Sequence, residues 1–123
     1  MHQNVSEWMN DVAPSVRIEI AAWLACFPDQ REVALDRLVE DLGHSDWAVA
    51  LQACRAIELL GPKAKRVLEP MKRIYAKTRN EPGDNNLFIA FSSGAFLDKL
   101  GEKTVPWDFT PGAGSFMPPK KKK

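Results

Sequence analysis

A chain of 123 residues with 45% hydrophobic and 27% charged side chains has the make-up of one small globular unit, too short for a multidomain enzyme built around a large enclosed site. Seventeen basic side chains stand against sixteen acidic ones, and the lysine run 120–123 supplies more than that excess, so the body is mildly acidic and shows no global nucleic-acid signature. The longest apolar run, 21–27, falls far short of the roughly 20 residues that span a bilayer, and the opening MHQNVSEW lacks the basic start and apolar stretch of a secretory signal. The expectation is a soluble, cytoplasmic chain, its compartment left open if the sequence belongs to a larger protein.

In chain order, residues 1–13 come first. Val5, Trp8, Met9 and Val12 read as one apolar stripe at the end of a preceding helix, running into a turn over 11–15. Natural helical stacks close their ends with polar caps. An apolar edge here is therefore expected to dock onto an upstream domain or a second copy of the chain, with Trp8 as anchor.

A repeat follows. Val16, Ile20, Leu24 and Phe27 stand at i, i+4, i+8 and i+11, and so do Val49, Ala53, Ile57 and Leu60, and again Ile89, Ser93, Leu97 and Leu100. That spacing predicts three helices, each with one buried face. Each carries small residues near its centre, Ala21 and Ala22, Ala53 and Cys54, then Ser92, Ser93 and Gly94, which permit close helix approach. Gly61 and Gly101 follow the second and third helices as left-handed C-caps. Cys26 and Cys54, inside apolar patterns, are expected in the core and not in a disulfide.

Between these helices lie two more. Residues 31–42 place Leu35, Leu38, Val39 and Leu42 on one face, and residues 64–76 do the same with Val67, Leu68, Met71, Ile74 and Tyr75, with Pro70 expected to bend the second helix. Residues 78–86 are rich in turn formers and lengthen the spacing to the third copy. After Gly101 no further helix develops. Trp107 and Phe109 are expected to fold back as a makeshift cap, and 110–123, with its Pro, Gly and Lys residues, to form a disordered tail. The domain expected is thus an all-α, right-handed α-solenoid of about two and a half helical hairpins over residues 14–109.

Helical hairpins that begin Val16-Arg17, pass Ala21-Ala22 or Ala53-Cys54, and close on Leu60-Gly61-Pro62 or Leu100-Gly101 resemble HEAT repeats, particularly the short bacterial kind, from Asp11 to Gly101. In that family an Asp in the inter-repeat turn and the Arg after Val form a ladder. Asp11, Asp46 and Asp84 match the Asp, whereas Ala50 and Ala90 stand where two arginines would be. The texture from Pro14 to Ala64 is also similar to the HEAT-repeat extension of environmental bacterial sulfatases, which implies a catalytic portion upstream. The sulfatase motif, Cys or Ser followed by x-Pro-x-Arg, is absent from this chain, so no catalytic residue is carried over.

The residues with chemical potential read most simply as structural. Asp41, His44, Ser45 and Asp46 cluster in one turn, where Ser45 or Asp46 is a natural N-cap and His44 sits at a helix C-terminal end. The stretch 91–95 (FSSGA) is a packing segment within a helix and not a nucleophile elbow. No catalytic residue, metal or cofactor is expected. Lys63, Lys65, Arg66, Lys72, Arg73, Lys77 and Arg79 face a single Glu69, while 31–42 carries Glu32, Asp36, Glu40 and Asp41. Neighbouring helices of opposite charge favour bridges between repeats, with an anion-binding strip as the sharper reading. Trp23 and Trp47 are expected in packing seams; Trp8 and Trp107 flank the unfinished ends. The expected function is a non-catalytic module for protein-protein interaction or scaffolding, with Trp8, Met9, Lys65, Arg66, Lys72, Arg73 and Trp107 as candidate contacts. Nucleic-acid or polyanion binding through 63–79 is the alternative.

Overall fold

The computed structural model describes residues 13–104, and over that span the chain is all-α, with no strand. Helix α1 runs Pro14–Leu24, α2 Arg31–Leu42, α3 Trp47–Leu60, α4 Leu68–Arg79 and α5 Asp84–Lys99, with a 3-10 segment, Gly61–Val67, between α3 and α4. The boundaries follow local chemistry. Pro14 opens α1, where its missing N–H is no loss. The Asp46 carboxylate accepts from the Ala48 N–H at 3.0 Å and caps α3. Gly61 then ends α3 with φ 57° and ψ −131°, a backbone that disfavours any side chain.

Helix α1 packs on α2 and α3, α3 on α2 and α5, and α5 on α4, while the 3-10 segment touches α2, α3, α4 and α5. The shared core contains Ile18, Ala21, Leu35, Leu38, Ala53, Cys54, Ile57, Val67, Met71 and Phe96. The expected faces of α2, α3 and α5 are the buried ones. Leu35, Leu38, Ala53, Ile57, Ile89, Ser93 and Leu97 all point inward.

Helix α1 differs from expectation. Its buried row is Ile18, Ala21 and the following Ala25, whereas Val16 and Phe27 are exposed. The row that includes Trp23, 63% exposed and edge-on to Phe27 at 5.0 Å, lies on the opposite side. Ile18 and two alanines thus form the inner side of α1, and Val16 and Trp23 the outer one. Cys26 is likewise exposed, and only Cys54 belongs to the core; both are free thiols. Trp47 stands 43% exposed instead of filling a seam.

Pro70 does not bend its helix. It is the third residue of α4, in the turn whose N–H groups have no intrahelical acceptor. The irregularity falls earlier, at Ala64, with φ −101° and ψ 21° inside the 3-10 segment. Helices α4 and α5 approach closely where the Tyr75 ring lies over Gly94; a methyl group at Gly94 would stand 3.0 Å from Tyr75 Cε1. The Arg79 Nη1 donates to the Tyr75 hydroxyl at 2.6 Å and holds that ring.

Burial pushes the Cys54 thiol up to about 12 from 9.0. Above about pH 9 the unfolded thiol loses its proton while the folded one keeps it, so stability falls as pH rises toward 12. The slope approaches about 1.4 kcal/mol per pH unit. Urea unfolding from about pH 8 to about pH 11 is expected to show this decline, and Cys54→Ala to remove that share of it. An unchanged slope in the variant would refute the assignment.

The N-terminal edge residues Val5, Trp8, Met9 and Val12, the cap residues Trp107 and Phe109, and the tail 110–123 lie outside the described residues.

Candidate functional site

The turn between α2 and α3 is structural in every polar member with a described partner. Arg17 reaches from α1 to clasp Asp41 with one edge of its guanidinium, Nε donating to Oδ2 at 3.1 Å and Nη2 to Oδ1 at 2.6 Å. Asp41 is 4% exposed, and the hydrogen bond to it raises the Arg17 pKa. The described partner of Arg17 is therefore an acid at the end of α2 and not one of the turn aspartates of the expected ladder, of which Asp11 lies outside the described residues. Asp46 is occupied as the α3 cap, and its N–H donates to His44 Nδ1 at 3.0 Å. No group of three potential metal ligands occurs among the described residues. In α5, Ser93 donates to the Ile89 carbonyl at 2.8 Å and Ser92 to Glu58 Oε1 at 2.9 Å, so both hydroxyls serve packing.

The basic strip divides into two groups. Arg66 Nε meets Glu32 Oε1 at 2.5 Å, its Nη2 bonds Asp36, and the Asp36 bond raises its pKa. Lys72 contacts Glu102 at 3.1 Å and Glu69 at 3.6 Å, with the hydrogen bond to Glu102 raising its pKa. Bridges between neighbouring elements thus occupy these two candidates. Lys63, Lys65, Arg73 and Lys77 form no ion pair among the described residues, and Lys65 is exposed away from the apolar surface described next.

That surface is a groove. Helices α2 and α4 are joined chiefly through the 3-10 segment, whose Arg66 clamps α2 at one end of their seam. Beyond the clamp the seam opens into a hollow of about 240 Å³ lined by Val39, Leu42, Gly43, Pro70, Arg73, Ile74 and Lys77. Leu42, Gly43, Ile74 and Lys77 also border a second hollow of about 420 Å³ that continues to Trp47 and Ile89. Neither lining contains an Asp or Glu. The floor of the first hollow is apolar, the second adds the polar His44, Ser45, Thr78 and Asn86, one wall carries two cations four residues apart, and a half-exposed indole stands at the open end.

Of the sequence-derived candidates, Arg73 alone lies in the groove; Trp8, Met9 and Trp107 are outside the described residues. Sequence reasoning placed Ile74 and Leu42 on their helices, put Lys77 just past the end of one, and did not bring the three together. Their meeting depends on two helices that are not consecutive in the chain.

No family model, curated protein or solved structure matches the chain.

Proposed function

We propose that this chain is a non-catalytic, HEAT-like stack of helical hairpins that recognises another protein. The observation that carries this reading is the α2–α4 groove, with its apolar floor, uncovered rim and exposed Trp47. The order of helix contacts supports the solenoid reading: α1, α3 and α5 pack in succession, and α2 and α5 flank α3. The fork of Arg17, the cap of Asp46 and the packing bonds of Ser92 and Ser93 give the chemically suggestive side chains structural occupations. The likeness to sulfatase extensions rests on sequence texture and carries no part of this reading.

Against polyanion binding stand the ion pairs of Arg66 and Lys72, which occupy two of the seven basic side chains of 63–79. Selection of displayed random peptides on the full chain tests the reading, alongside titration with duplex and single-stranded DNA at low salt. Selected peptides are expected to perturb amide resonances in 39–47 and 70–77. Peptides that perturb neither segment, or DNA that binds more tightly than any of them, would overturn it.

A further inference from the structure

We infer that the α2–α4 groove takes an acidic amphipathic helix of a partner protein, one that presents carboxylates four residues apart around an apolar ridge. The inference rests on the protein-recognition reading above and names the partner chemistry of the same surface.

Charge is the first argument. All four acidic side chains of α2 are engaged: Glu32 and Asp36 by Arg66, Glu40 by Arg37 at 2.9 Å, and Asp41 by Arg17. None is left to neutralise the wall opposite. Arg73 and Lys77 stand at i and i+4 on α4, so they are neighbours of like charge, a placement that is destabilising in a helix. Lys77, in the last turn, has the favourable end of the helix dipole nearby. Arg73, a full turn earlier, lacks that benefit and forms no ion pair among the described residues, so an external anion would relieve the repulsion. Two carboxylates at the same helical spacing match two cations four residues apart.

Shape is the second. Pro70, Arg73, Ile74 and Lys77 follow i, i+3, i+4 and i+7, which is one open ridge of α4, and Val39, Leu42 and Gly43 form the facing edge of α2. A groove between two helices with an apolar floor, as Val39, Leu42, Pro70 and Ile74 provide in the first hollow, accepts the apolar face of a third. Leu42 and Ile74 offer the seat for that face, and the half-exposed Trp47 borders the far end. A nucleic-acid backbone supplies no apolar ridge for this floor. Affinity for it also rises with the number of phosphates neutralised, and the described residues carry basic and acidic side chains in equal number.

The test uses the full chain and fluorescence anisotropy. The probe is a fluorescein-labelled, Ala-rich helical peptide with Glu four residues apart and Leu between them. Its twin has Lys at each Glu position, and a single-stranded DNA oligonucleotide serves as a third ligand. The Glu peptide is expected to bind and the Lys twin not to. Arg73→Glu with Lys77→Glu should weaken the Glu peptide by about tenfold or more, about 1.4 kcal/mol, and allow the Lys twin to bind. Lys63→Glu with Lys65→Glu, an equal charge change outside the groove, should leave affinity within about threefold. Should the charge-reversed chain fail to fold, Arg73→Gln with Lys77→Gln is measured instead, with the same expected loss of the Glu peptide. Equal loss in the groove and control variants, equal binding of the twin peptides, or DNA binding that Arg73 and Lys77 alone control would overturn the inference. If the Glu peptide does not bind while peptides from the random selection still perturb 39–47 and 70–77, the acidic-helix assignment fails and protein recognition by the groove stands.

Discussion

Replacing Arg17 with methionine is expected to lower the unfolding free energy by about 3 to 5 kcal/mol. The loss comes less from the pair itself than from what remains. Asp41 is buried and accepts both bonds of the guanidinium fork, so without Arg17 a carboxylate stays in the interior with no counter-charge. Arg17→Lys retains charge but loses the planar fork, and should fall between the parent and the methionine variant. Arg17→Met combined with Asp41→Leu removes both charges and should recover much of the loss. Urea unfolding of the four chains measures this directly. A double variant no more stable than Arg17→Met would show that the buried charge is not the cause.

Phe96→Ala is expected to destabilise by about 3 to 5 kcal/mol, whereas Phe88→Ala on the same helix should change stability by less than about 1.5 kcal/mol. The two residues are chemically identical, and their surroundings decide the difference. Phe96 is fully buried and is the largest such side chain, on the helix that packs against both α3 and α4. Phe88 remains about half exposed beside Leu51, Arg55 and Phe91. Deleting the Phe96 ring leaves a cavity where two helix contacts meet, so the transfer loss and the cavity loss add. Thermal and urea unfolding of both variants would expose the contrast. Similar losses would contradict the assigned core.

The helices and several of their inner faces were legible because polar and apolar residues alternate with helical period in α2, and because α3 and α5 align their small residues with larger apolar neighbours. Leu35 and Leu38, Ala53 and Ile57, Ile89 and Leu97 occupy the expected sides. Helix α1 misled because it is apolar around most of its circumference. Periodicity gives such a helix no direction, and the side it buries is that of Ile18, Ala21 and Ala25, not that of Val16 and Trp23. Pro70 misled for a different reason: a proline inside an apolar pattern reads as a kink until the helix start is known, and Ala64 shifts that start beyond the 3-10 segment.

The site was legible in composition but not in geometry. Opposite charge on 31–42 and 63–79 anticipated bridges between elements, and Arg66 forms them with Glu32 and Asp36. Which cations remain after the bridges depends on side-chain reach across the seam. The sequence pattern could not separate Arg66 from Arg73, although only Arg73 lines the groove. Asp41 likewise carried no sign of burial, since an acid near a helix C-terminus is ordinarily solvated; the fork from Arg17, 24 residues earlier, is what draws it inward.

The most direct measurement of the central claim is a map of amide chemical-shift changes in the full chain as the Glu-bearing helical peptide is added. A recognition groove between α2 and α4 predicts that the largest changes fall in 39–47 and 70–77, including the indole N–H of Trp47, and that the Lys twin produces none. Changes concentrated instead on the exposed α1 row around Val16, Trp23 and Phe27, or on Phe88 and Phe91, would place recognition elsewhere and contradict the account.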